Sequence, residues 1–232
     1  MAWVIVPAAG RGSRFGGELP KQYLDLLGRP VLEHTLRTLL AHPAVSGAMV
    51  VLAANDPRWP GWRELENKPV LTCLGGAERA DSVLAGLRAL PASVPAEGWV
   101  LVHDAARPCV KSLDLSRLFA ALKTDPVGAL LAAPVRDTLK RAGDDGRVEA
   151  TVPRGSMWRA LTPQAFRRDS LTRALESAER AGVLATDEAM AIERLGLKPL
   201  LVEGSEDNLK ITTAADLAVA ESILRRMGDG RA

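Results

Sequence analysis

Between Pro7 and Gln22 the chain reads PAAGRGSRFGGELPKQ, a glycine-rich stretch that carries two arginines and closes on a lysine. Gly10, Gly12, Gly16 and Gly17 let backbone amides come close to an anion, and Arg11, Arg14 and Lys21 supply charge to neutralise it. That composition suits a polyphosphate. The spacing is not the G-x-x-x-x-G-K-[ST] loop of ATPases, because no Lys-Ser or Lys-Thr follows the second glycine. Nor is it the G-x-G-x-x-G of a dinucleotide fold, because position 15 is Phe. A flexible turn with solvated cations would also account for these residues taken alone.

Two more polar stretches could share the chemistry: GGAERADS from Gly75 to Ser82, and HDAARP from His103 to Pro108. Asp104 could orient a metal or a hydroxyl, and Arg107 could clamp a phosphate through paired hydrogen bonds. Three residues apart, the two could equally pair with each other. His103, at a strand end, reads as a structural hydrogen bonder. No convincing Ser-His-Asp or Cys-His arrangement is present, and three histidines with unhelpful spacing argue against a structural zinc site.

The elements that must hold these loops follow from hydrophobic periodicity. Short apolar runs predict strands at Trp3–Val6, Ala48–Ala53, Pro69–Cys73, Trp99–Val102, Gly128–Ala133 and Pro199–Val202. Amphipathic patterns predict helices at Val31–Leu40, Ala80–Leu90, Leu115–Lys123, Ser170–Gly182 and Ala214–Met227, the last capped by Thr212 or Thr213. Alternating strand and helix is the mark of an α/β fold with a mostly parallel sheet. In such folds ligands bind outside the carboxyl ends of the strands, so the three loops should converge on one crevice. The stretch from Val135 to Trp158 breaks the rhythm. It is polar and turn-rich, with Asp144-Asp145-Gly146 as a hairpin signal, and reads as an arm. A lone hairpin is marginal in water, so the arm should pack on something, most simply a second copy of the chain.

With 232 residues, 47% hydrophobic and 25% charged, the chain reads as one globular domain. A formal charge of +2, with the basic residues dispersed, gives no footprint for nucleic acid or an anionic membrane. Cys73 and Cys109 form neither a disulfide framework nor a metal site, which suits a cytoplasmic setting. No apolar run is long enough for a transmembrane helix, and the apolar start precedes its basic residues, unlike a secretory signal.

Taken together, PAAGRGSRF with PKQY, GGAERADSVLAGL, VHDAARP, APVRDTLKR, ALTPQ, TDE and VEGSEDNLKIT resemble the 2-C-methyl-D-erythritol 4-phosphate cytidylyltransferases of the non-mevalonate isoprenoid pathway. The resemblance runs from Val4 to about Glu221. It implies a Rossmann-like nucleotidyltransferase fold, a mostly parallel twisted sheet flanked by helices, with a protruding β-hairpin arm at about 135–158 that joins a homodimer. The implied reaction is CMP transfer from CTP to a small sugar-alcohol phosphate, with Mg²⁺ or another divalent cation held mainly by the CTP phosphates and Asp104 nearby. Arg14, Lys21 and Lys210 would stabilise the charged transition state. Pro7, Ala8, Ala9, Gly10, Arg11, Gly12, Ser13, Gly75, Gly76, Ser82, Asp104 and Ala105 would bind the nucleotide. Asp104, Arg107, Thr138, Arg154, Thr162, Thr186 and Lys210 would take the acceptor, Arg154 arriving from the other subunit. One departure is Ala77, where the family often carries an acidic residue, which touches a ribose or metal contact. Ribitol 5-phosphate cytidylyltransferases share the same motifs, and TDE, DNLKIT and Arg154 favour the methylerythritol acceptor. A nucleotide-binding module without turnover is the reading from another class. Arg14, Lys21, Arg107 and Lys210, all present, speak against it.

Overall fold

The computed structural model describes residues 1–10 and 19–229. In chain order the elements are β1 (Ala2–Pro7), a 3-10 turn (Lys21–Tyr23), β2 (Asp25–Leu26), β3 (Arg29–Pro30), α1 (Val31–Ala41), β4 (Val45–Leu52), β5 (Glu64–Leu65) and β6 (Lys68–Leu74). There follow α2 (Arg79–Ala89), β7 (Trp99–Val102), α3 (Ser112–Ala121), β8 (Gly128–Pro134), β9 (Leu139–Ala142) and β10 (Val148–Val152). The chain ends with β11 (Trp158–Arg167), α4 (Arg168–Arg180), α5 (Glu188–Glu193), β12 (Leu200–Glu203) and α6 (Ala214–Asp229). The main sheet has eight strands in the order β12-β8-β11-β7-β1-β4-β6-β5. β1, β4, β6 and β7 run parallel, as do β8 and β12, while β11 runs antiparallel to both β7 and β8.

Both faces of the sheet are covered, which is why the central strands read as unbroken apolar runs rather than alternating ones. Side chains still alternate. Val4, Val6, Ala48 and Val50 face one layer with Leu32, Leu36, Leu115 and Leu118 of α1 and α3. Ile5, Met49 and Val51 face the other with Val83, Leu87, Leu171 and Leu175 of α2 and α4. A smaller cluster seats α6 against Leu26, Val31, Ala106 and Cys109. Thr213 Oγ1 accepts from the Asp216 amide at 3.3 Å and Asp216 accepts from the Thr213 amide at 2.8 Å, a reciprocal cap at the start of α6.

All six expected strands and all five expected helices are present, with ends shifted by a few residues. Beyond the short β2, β3 and β5 and the 3-10 turn, β11 and α5 are additional. β11 contains Pro163, which cannot donate to a ladder, and the β8–β11 register breaks between Ala160 and Gln164 to admit it. α5 has six residues, too few to display a helical period. The expected arm is a separate two-stranded ribbon, β9 pairing antiparallel with β10. Its turn holds Gly146 at φ +75°, with the Gly143 amide donating to Arg147 O at 2.9 Å. The ribbon is rooted where the Val135 amide donates to Met157 O at 2.9 Å. Among the described residues, no helix is long and apolar enough to cross a membrane.

Candidate active site

The loops that follow β1, β6 and β7 leave from the carboxyl ends of strands in the parallel run β7-β1-β4-β6 and enclose a pocket of about 230 Å³. Its walls are Pro7 to Gly10, Lys21 and Gln22 from the first loop, Gly76 to Arg79 and Ser82 from the second, and Asp104 to Ala106 from the third, with Lys210 reaching in from the segment after β12. Arg11, Gly12, Ser13 and Arg14 lie outside the described residues.

The base of the first loop is fixed by Gln22, which is buried and donates through Nε2 to Ala8 O at 2.7 Å and to Gly10 O at 3.1 Å. One amide therefore orders the strand end, the glycine beyond it and the turn that presents Lys21. In the second loop Ser82 Oγ accepts from the Gly76 amide at 3.2 Å and donates to Glu78 O at 3.1 Å. A Cβ on Gly76 would stand 2.3 Å from Asp81 Cβ, and one on Gly75 would stand 2.7 Å from Ala9 Cβ. Glycine at 75 lets the first two loops approach so closely, and glycine at 76 lets the second loop fold against its own Asp81. Glu78 and Asp81 form a reciprocal cap at the start of α2.

The third loop is the hub. Asp104 Oδ1 accepts from Arg79 Nε at 3.2 Å, and Oδ2 accepts from Arg107 Nε at 3.2 Å and Lys210 Nζ at 3.0 Å. Burial alone would raise the pKa of this carboxyl, but Arg79, Lys210 and Arg107 outweigh it and hold the group well below the usual range. It is an anion at any working pH. Arg79 also forms a bidentate pair with Glu188, Nη1–Oε1 at 2.6 Å and Nη2–Oε2 at 3.1 Å. Burial opposes the charge of Arg79, yet Glu188 and Asp104 more than offset it and raise its pKa.

Behind Asp104 lies a relay of neutral groups. His103 Nε2 donates to Arg107 O at 3.0 Å, which leaves Nδ1 as an acceptor for Thr162 Oγ1, also at 3.0 Å. The same hydroxyl accepts from the Asp104 amide at 3.1 Å. Burial drives the His103 pKa down to about 4, so the ring is neutral near pH 7 and its tautomer is fixed by its partners. Asn208 closes the assembly: Nδ2 donates to Thr162 O at 2.7 Å and its own carbonyl accepts from Arg107 Nη1 at 2.7 Å. The Ile211 amide donates to Ala106 O at 2.9 Å, and these bonds on either side of Lys210 aim it at the pocket.

Of the residues singled out from sequence, Pro7, Ala8, Ala9, Gly10, Lys21, Gly76, Ser82, Asp104, Ala105 and Lys210 line one pocket, and Ala77 lies in the same wall. Gly75 stands one residue outside it. Arg107 and Thr162 sit behind the wall as supports of Asp104. Thr138 and Arg154 are exposed on and beside the arm, where Arg154 Nη1 donates to Arg136 O, and Thr186 is exposed ahead of α5. These three do not line the pocket of this single chain. Sequence reasoning passed over Arg79, Glu188, Gln22 and Asn208 as individual residues, although each falls inside a motif. Arg79 and Glu188 are 109 residues apart, so no local spacing links them.

The wall presents Lys21, Arg79 and Lys210 against Asp104 and Glu78, a surplus of cations suited to a polyanion. Among the described residues no group of three or more His, Cys, Asp or Glu side chains could hold a metal. Asp104 already accepts from three cations and has room for about one more partner. A divalent ion would therefore need most of its oxygens from a bound anion.

A family model described as 2-C-methyl-D-erythritol 4-phosphate cytidylyltransferase matches residues 2–226. A protein of that name from Stenotrophomonas maltophilia (strain K279a) is 66% identical over 224 residues, covering 97% of each chain. One from Xanthomonas oryzae pv. oryzae (strain PXO99A) is 63% identical over 97% of this chain and 83% of its own. Among solved structures, the Francisella tularensis 2-C-methyl-D-erythritol 4-phosphate cytidylyltransferase superposes with a TM-score of 0.82 at 32% identity, covering 96% of this chain and 99% of that one.

Proposed function

The chain belongs to the 2-C-methyl-D-erythritol 4-phosphate cytidylyltransferase family, and from that membership and its cationic pocket we propose that it transfers CMP from CTP to 2-C-methyl-D-erythritol 4-phosphate. The products are 4-diphosphocytidyl-2-C-methyl-D-erythritol and pyrophosphate. The observation that carries the reading is the Asp104 hub, which ties Arg79, Arg107 and Lys210 to one carboxylate at the meeting point of three loops.

The acceptor phosphate is anionic near neutral pH, so its oxygen attacks the α-phosphorus of CTP without a general base. A bond forms between that oxygen and the α-phosphorus, and the bond from the α-phosphorus to the bridging oxygen breaks in line, releasing pyrophosphate. Catalysis of this kind is mostly alignment and fixed charge. Lys21 supplies it from the first loop and Lys210 from the segment after β12, and Arg14 is assigned to the triphosphate by the same family pattern. The first two loops take the nucleotide through Pro7 to Gly10 and Gly75 to Ser82. Asp104 stands between nucleotide and acceptor, and Mg²⁺ entering with CTP would screen the triphosphate, with Asp104 able to offer it about one oxygen. Thr138 and Thr186 belong to the acceptor side, which Arg154 completes from the arm of a second subunit, in a cytoplasmic homodimer. That pairing also gives the exposed ribbon at 135–158 a surface to pack on.

Pyrophosphate release tests this directly, using CTP and Mg²⁺ with methylerythritol phosphate and ribitol 5-phosphate supplied separately, and ATP, GTP and UTP as controls. Release with CTP and the first acceptor alone is expected. Release with ribitol phosphate would move the chain to that acceptor, and none with either would make it a binding module.

A further inference from the structure

Arg79 is the first residue of α2, in the nucleotide-side wall, and Glu188 is the first residue of α5, two residues after Thr186. The Arg79 fork is filled by Glu188 at 2.6 and 3.1 Å, and Nε alone turns to Asp104 at 3.2 Å. Glu188 is 1% exposed, and its helix is anchored through the N-cap Asp187, whose Oδ2 accepts from Gln164 Nε2 at 2.9 Å.

From this geometry we infer that Arg79 and Glu188 are positioning residues, a strut between the two substrate walls that sets Asp104 and, through it, the ammonium of Lys210. The inference rests on the pocket being the site of CMP transfer. With its fork occupied, Arg79 offers Asp104 one donor and takes only Oδ1. Oδ2 is thereby left to Lys210 at 3.0 Å and Arg107 at 3.2 Å. A guanidinium freed from Glu188 would grip both oxygens of Asp104, the arrangement that arginine and carboxylate prefer, and compete with Lys210 for Oδ2. Stability alone gives little reason for the pair, since a buried ion pair often contributes no more than a well-packed apolar replacement. Placing two phosphates for an in-line displacement does give one, because small misalignments cost large factors in rate.

The test uses Glu188→Gln, which keeps the shape and removes the charge, and Arg79→Lys, which keeps the charge and removes the fork. Each is expected to lower kcat about tenfold or more while KM for CTP and for the acceptor stays within about threefold, the pattern of lost alignment rather than lost affinity. The double variant should be no worse than the poorer single by more than about twofold, because the two residues act as one unit. If either folded variant keeps kcat within about twofold of the parent, or if the double variant shows the product of the two losses, the strut is overturned. The parent protein is assayed alongside. Failure of the parent to release pyrophosphate would defeat the proposed function instead, and the strut is then read without turnover, from the Arg79 Nη–H resonances, the protons that Glu188 holds. Slow exchange at both Nη groups in the parent and its loss at one or both in Glu188→Gln support the strut, and unchanged resonances overturn it.

Discussion

Lys21 and His103 show how differently two polar residues beside one pocket can act. Lys21 lines the pocket directly, and in the proposed reaction its replacement by alanine would remove a fixed cation from the transition state. We expect turnover to fall about a hundredfold or more with an unchanged circular dichroism spectrum. Near-normal turnover in the folded variant would remove Lys21 from the chemical step. His103 is instead a neutral prop, and its depressed pKa makes a statement about stability. Between the ordinary imidazole value of 6.5 and about 4, only the unfolded chain takes up the proton, so stability should fall as pH drops through that window. The slope attributable to one such group is on the order of 1.4 kcal/mol per pH unit. Urea midpoints at pH 7 and pH 5 should therefore differ more in the parent than in His103→Gln, and equal differences would assign the titration elsewhere. Asp104 and Arg107 were legible from sequence as a candidate clamp or a mutual pair. The structure shows that they do pair, at 3.2 Å, within a larger cluster whose other members come from Arg79 and Lys210. Those partners lie 25 and 106 positions from Asp104, and separations of that size leave no periodic trace.

At the scale of elements, the parallel strands announced themselves because burial on both faces demands apolar runs. β11 did not, because Pro163 interrupts it and the bulge that accommodates the proline is a property of the ladder with β8. Yet β11 supports the site from behind. Thr162 holds His103 and the Asp104 amide, while Gln164 holds α5 by donating to Asp187 Oδ2 at 2.9 Å and accepting from the Ala189 amide at 2.7 Å. Gln164→Leu would leave the Ala189 amide buried without this partner and take the donor from the half-buried Asp187 Oδ2. A loss of about 1–3 kcal/mol is the usual scale for one buried orphan, and chemical denaturation should show a fall in unfolding free energy within that range. A change under about 0.5 kcal/mol, the scale of a neutral surface substitution, would mean that α5 holds itself in place.

For the whole molecule, the arm asks for a partner, since its ribbon is exposed and, among the described residues, the Arg154 guanidinium donates to Arg136 O at the arm's own root. Arg154→Ala should impair use of the acceptor much more than binding of CTP, measured as kcat/KM for each substrate. Equal losses on both sides would take Arg154 out of the acceptor pocket. The order β12-β8-β11-β7 has a further consequence. A single protease cut at the exposed turn Asp145–Gly146 would yield one piece ending just past β9 and another beginning just before β10. Along that edge of the sheet the strands would then belong alternately to the second piece, the first, the second and the first. The pieces would be interleaved like shuffled cards rather than joined along a seam, so the nicked protein should travel as one species on a sizing column until denaturant parts it. Two genes encoding the halves could assemble the same enzyme, which makes the arm tip a natural place to divide the chain into a split reporter.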